Sequence, residues 1–95
     1  MLVTVEALRA LRPDILRLAH EHGASNLRVF GSVARGEATE RSDVDLLVDM
    51  DAGRSMLDLL ALEEDLEHML GRPVEIGTKL YPPIQDRVLR EAVAL

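Results

Sequence analysis

The feature that most limits how this chain can fold is an alternation of two hydrophobic rhythms, punctuated by glycine. Between Val5 and Ala19, the apolar residues Leu8, Leu11, Ile15, Leu16 and Leu18 recur at helical spacing. Thr4 is a candidate N-cap and Gly23 a candidate stop. Pro13 divides the stretch, because proline suits the first turn of a helix and not its interior. This predicts a short helix, then a second over residues 13–22. Residues 27–30 read as a strand ended by Gly31, and residues 44–48 as a second, aliphatic strand. Met56–Leu70 reads as an amphipathic helix capped by Ser55 and stopped by Gly71. Residues 74–76 are a third strand, and Pro82-Pro83 opens a last helix through Ala92. With a short helix expected after Gly31, the order is α-β-α-β-α-β-α. That order predicts an α/β or α+β sheet with helices packed against it.

Composition narrows the chemistry. At 95 residues, the chain is expected to form one small domain over 1–95 with a thin core. An enzyme needing two substrate pockets would be cramped at this size. There is no cysteine, which excludes disulfides, thiolate zinc sites and a thiol nucleophile. The net charge of −6 argues against a broad nucleic-acid surface, and 2% aromatics leaves no base-stacking platform. No apolar run approaches a membrane span and the N-terminus does not read as a signal peptide, so a cytoplasmic location is expected, away from any membrane.

Two segments carry the chemistry. In Ser42-Asp43-Val44-Asp45, the two carboxylates stand two residues apart at the start of a strand. Alternate strand residues share a face, so both point one way while Val44, Leu46 and Val48 point into a core. Two such carboxylates repel unless a cation or a proton comes between them. Magnesium is the natural cation, because it pairs one or two carboxylates with substrate phosphates. Upstream, Gly31 ends a strand and Ser32 begins a turn toward a helix. Glycine permits close backbone approach, and N–H groups at a helix start favour an anion. Arg35 adds charge or rigidity. A phosphate held there would lie near a metal held by Asp43 and Asp45, the arrangement of phosphoryl or nucleotidyl transfer. The loop is not a Walker A motif, because no Gly-Lys-Ser/Thr follows, and it lacks the dinucleotide fingerprint.

Gly31-Ser32, a ten-residue gap, then Asp43-x-Asp45 resembles the signature of the DNA polymerase β-type nucleotidyltransferase superfamily. The fuller string GSVARGEATERSDVDLLV resembles the minimal nucleotidyltransferases, antitoxins that pair with HEPN-domain toxins. The resemblance implies a small mixed sheet with flanking helices, the polymerase β palm-like fold. It implies that Gly31 and Ser32, with Arg35, hold the phosphates of ATP. It also implies that Asp43 and Asp45 bind two magnesium ions with a third carboxylate on the following strand. That position is most often aspartate; here it is Glu75, one methylene longer, which could also accept the acceptor's proton. The implied activity moves AMP from ATP to a hydroxyl, a tyrosine of the HEPN toxin, within a hetero-oligomer. The alternatives are a catalytically weak or binding-only antitoxin, and the catalytic subunit of an aminoglycoside-like nucleotidyltransferase.

Plainer readings stand beside these. Ser32 could cap the following helix, and Arg35 could pair with an acidic neighbour. Glu75 could be an ordinary exposed residue. The run Glu63, Glu64, Asp65 and Glu67 reads as a solvated helix face, and His20, His22 and His68 as surface residues near helix ends. The methionines read as core fillers, and Val93 to Leu95 as an apolar helix end and candidate docking surface.

Overall fold

A computed structural model of the chain describes residues 2–78 and 90–95. The first half of the pattern becomes α1 (Val5–Ala10) and α2 (Arg12–Glu21). Thr4 caps α1, its Oγ1 accepting from the Ala7 N–H at 3.0 Å. Pro13 sits in the first turn of α2, where its missing N–H costs nothing. Strand β1 (Ala24–Phe30) runs directly into the short helix α3 (Gly31–Arg35). Strand β2 (Val44–Met50), helix α4 (Met56–Leu70) and strand β3 (Val74–Gly77) follow. Helix α4 opens on a capping box: Ser55 accepts from the Leu57 N–H at 3.2 Å, and Asp58 accepts from the Ser55 N–H at 2.9 Å. A two-residue strand, β4 (Val93–Ala94), completes the described chain.

The four strands form one mixed sheet in the order β3-β2-β1-β4. β1 pairs antiparallel with both β2 and β4, and β2 pairs parallel with β3. Strand alternation then divides the sheet. Leu27, Val29, Val44, Leu46, Val48, Val74 and Ile76 are buried in the core, with Leu8, Ile15, Leu62 and Leu66 of the helices. Asp45 and Glu75 stand at the alternate positions and face the other way. Leu47, of the same parity as Asp45, is buried too, so that face is not wholly polar. No helix among the described residues is long and apolar enough to cross a membrane.

Four expectations change. β1 begins three residues earlier than its pattern suggests. A bulge between Ser25 and Arg28 shifts the register, and Asn26 there adopts φ 53° while its side chain donates to Asp49 at 3.0 Å. The bulge breaks the two-residue rhythm by which a strand is recognised. Val93 and Ala94 are strand rather than helix end: Arg28 pairs with Ala94, and the Leu95 N–H donates to the Leu27 carbonyl at 2.9 Å. Of the expected last helix, Arg90, Glu91 and Ala92 lie within the described residues; Arg90 and Glu91 are helical and Ala92 is not. Met56 is 65% exposed, so it is not a core filler.

The acidic run of α4 is not simply a solvated face. β3 is a sheet edge, and its outward N–H groups would lack partners. Glu67 accepts from the Val74 N–H at 2.9 Å and Glu63 from the Ile76 N–H at 3.1 Å. Asp65 meets His22 at 2.7 Å and ties α4 to the end of α2; only Glu64 of the four is fully exposed. Replacing Glu63 and Glu67 together by alanine is expected to cost about 2 kcal/mol in urea denaturation, because two part-buried donors lose charged acceptors. Glu64→Ala should stay within about 0.5 kcal/mol of the parent.

Candidate active site

The end of β1, the start of α3, β2 and β3 converge on Asp45. Its backbone pairs with Phe30 on one side and Glu75 on the other, so β2 is held from both edges at this residue. Opposed residues in paired strands share a face, which brings the Asp45 and Glu75 carboxyl groups together. Asp43 precedes β2 by one residue and is exposed. Asp45 is half-buried, and its pKa is raised above the ordinary aspartate value. Burial is the largest cause, followed by the negative charges of Glu75 and Asp43 and a side-chain hydrogen bond with Glu75. The positive charge of Arg35 opposes the shift.

Carboxyl groups held this close repel one another, and a proton or a cation between them relieves that repulsion. The donor set therefore has the chemistry of a magnesium site: hard oxygens, like charges and an accessible edge. Among the described residues, however, no three carboxylate or imidazole groups are gathered as a ligand cluster. Magnesium does not require three, since one or two carboxylates suffice when substrate phosphates complete the shell.

Gly31 makes this geometry possible. Its φ is 73°, a region costly for any residue with a Cβ. A Cβ built there would also lie 2.4 Å from Asp45 Oδ2 and 3.3 Å from its Cγ. So glycine clears space for the carboxylate. The next residue, Ser32, lies inside α3, which has Phe30 at its N-cap position and no side-chain cap. The capping role for Ser32 is therefore not what the structure shows. Arg35 does pair with acidic groups: Nε donates to Glu37 at 3.0 Å and Nη1 to Glu91 at 3.1 Å. Asp49 lies further along β2, bound to Asn26 and Arg28 at 3.0 and 3.4 Å, and serves the bulge.

The loop between α3 and β2 carries its own ties. Ser42 Oγ accepts from the Thr39 N–H at 2.8 Å, and Arg72 donates to the Glu40 carbonyl. These contacts hold the ten-residue gap in place between Ser32 and Asp43. A groove of about 250 Å³ lies between residues 2–6 and α3, with Val33, Arg35 and Ala38 on its wall. None of the three carboxylates lines it, so groove shape alone would not have led to them. The signal that does is the crowding of like charges around Asp45.

A short helix that starts at a glycine beside paired strand carboxylates is the arrangement expected of a class, the enzymes that transfer phosphoryl or nucleotidyl groups. Residues 8–94 match the model of the nucleotidyltransferase domain family, and the chain belongs to that family. It is 42% identical over 95 residues to the protein adenylyltransferase MntA of Thermococcus cleftensis, covering 98% of this chain and 96% of the relative. It is similar to a solved structure described as a candidate minimal nucleotidyltransferase, with TM-score 0.86, 49% identity, and coverage of 98% and 97% of the two chains. A crystal structure of a toxin–antitoxin with AMP-PNP matches with TM-score 0.73 at 17% identity, over 86% of this chain and 69% of that one. At that identity the likeness is one of fold.

Two outcomes follow from the crowding. A group whose pKa is raised on folding stabilises the native state below its unfolded pKa, and that stability is lost as pH rises through the folded value. Ionised Asp45 is thus a liability at neutral pH. Asp45→Asn is expected to raise Tm at pH 7.5 by about 2–5 °C, a gain that fades below about pH 4. Gly31→Ala should do the reverse at the same pH, costing about 1–2 kcal/mol from the left-handed backbone and turning the Asp45 carboxylate aside. Thermal melts across pH check both.

Proposed function

We propose that this chain is a magnesium-dependent protein adenylyltransferase, acting as the antitoxin of a HEPN-type toxin in the cytoplasm. It would move AMP from ATP to a hydroxyl of that partner, a tyrosine. The observation that carries the reading is the pairing of Asp45 with Glu75 across β2 and β3, with the Asp45 carboxylate packed against Gly31. A relative named as a protein adenylyltransferase supports it, and a neighbour in fold is a toxin–antitoxin crystallised with AMP-PNP.

In this reading the backbone at Gly31 and the hydroxyl of Ser32 receive the triphosphate, and the Arg35 guanidinium lends charge one helical turn on. Asp43 and Asp45 would hold magnesium with Glu75 beside them; when bound, it neutralises the phosphates and eases ionisation of the acceptor hydroxyl. The acceptor oxygen attacks the α-phosphorus of ATP. The bond from that phosphorus to the bridging oxygen breaks, and pyrophosphate leaves. Glu75 accepts the hydroxyl proton. In this reading the acceptor is a second molecule, the toxin partner.

Incubation with radiolabelled ATP, magnesium and the HEPN-type protein encoded next to it tests the reading. Label should transfer to the partner, and Asp43→Ala with Asp45→Ala should reduce transfer at least about a hundredfold. Neutralisation of the toxin that survives the double change, without label, would instead mark a binding-only antitoxin. Magnesium should also raise the Tm of the parent chain and leave that of the double variant unchanged.

A further inference from the structure

We infer that Glu91 is a positioning residue: it holds the Arg35 guanidinium beside Ser32, so that the C-terminal strand sets the affinity of the site for nucleotide phosphates. The inference rests on the reading above and extends it to a residue far along the chain. Ser32 and Arg35 are three apart on α3 and therefore neighbours on its surface. Arg35 is gripped at two different nitrogens, Nε by Glu37 and Nη1 by Glu91, which fixes the plane of its fork as well as its position.

The two grips differ in kind. Glu37 is local, two residues on, and its side chain is 65% exposed. Glu91 comes from 56 residues away and is only 28% exposed. What delivers it is the pairing of β4 with β1. Val29 pairs with Val93; Gly31 stands two residues beyond Val29, and Glu91 two residues before Val93. That strand is anchored in turn, since Arg9 donates to the Ala94 carbonyl at 3.4 Å and Arg12 to the Leu95 carbonyl. A part-exposed ion pair adds little folding energy. Its effect lies in where it places a cation that acts on Asp45 as well.

The test measures binding of Mg·ATP to the full chain by calorimetry, with no acceptor present. Glu91→Ala should weaken binding about fivefold, the low end for coupled sites, while Tm moves by less than about 2 °C. Glu91→Gln keeps an acceptor for Nη1 and should recover most of the loss. In an Arg35→Ala background, Glu91→Ala should have no further effect on binding if its influence on the site runs through Arg35. Unchanged or tighter binding in Glu91→Ala would overturn the inference, as would a loss that persists without Arg35 or one matched by a fall in Tm. If the parent chain itself binds no Mg·ATP, the proposed function fails and this inference with it. If the parent binds and the variants do not differ, the inference alone fails.

Discussion

The double pairing of β2 is the constraint on which the site depends. Asp45 is held antiparallel to Phe30 and parallel to Glu75 at once, so neither neighbour can drift away. The result is two carboxyl groups forced together in a half-buried place, with a third close by. Such crowding opposes folding at neutral pH and is tolerated because the opposite face of the same strand is a dense aliphatic layer. Val44, Leu46 and Val48 are at most 2% exposed there, against fully buried Leu62 and Leu66. One strand thus carries both the fold's best packing and its worst electrostatics. Sites arranged for a charged ligand commonly trade stability for function in this way.

The sheet's edges serve the same end. A one-residue slip of β3 would turn Glu75 into the core and Ile76 out of it. The two glutamates of α4 that accept from Val74 and Ile76 oppose that slip, since they recognise the register of the edge strand. At the other edge, β4 closes over β1 and brings Glu91 to α3. Both edges are therefore covered by side chains that also determine where charged groups of the site stand. The loop from Gly36 to Asp43 completes the frame, tied by Thr39, Ser42 and Arg72.

Much of this was legible in order of residues. Thr4, Pro13, Ser55 and Gly71 mark helix ends because caps and stops are local, satisfied by neighbours a few positions away. The shared face of Asp45 with its partner parity followed from strand alternation alone. Several misses are cases where a distant partner decided the outcome. Val93 and Ala94 look like the apolar end of a helix until β1 offers them a ladder. Glu63 and Glu67 look like solvent-facing charges until the edge of β3 needs acceptors. Asn26 hides a strand because its bulge breaks the period.

The sequence by itself determined the element order as far as β3, the core-facing parity of Val44, Leu46 and Val48, and the Gly31-Ser32 and Asp43-x-Asp45 motif that identifies the family. These depend on spacing along the chain, which composition and periodicity record. Only the tertiary structure decided that Glu75 stands opposite Asp45 across β2 and β3, that Gly31 clears room for that carboxylate, and that Arg35 is divided between Glu37 and Glu91. Those facts depend on which strands become neighbours and in what register. Register is fixed by the packing of a whole face of the sheet, not by any local run of residues.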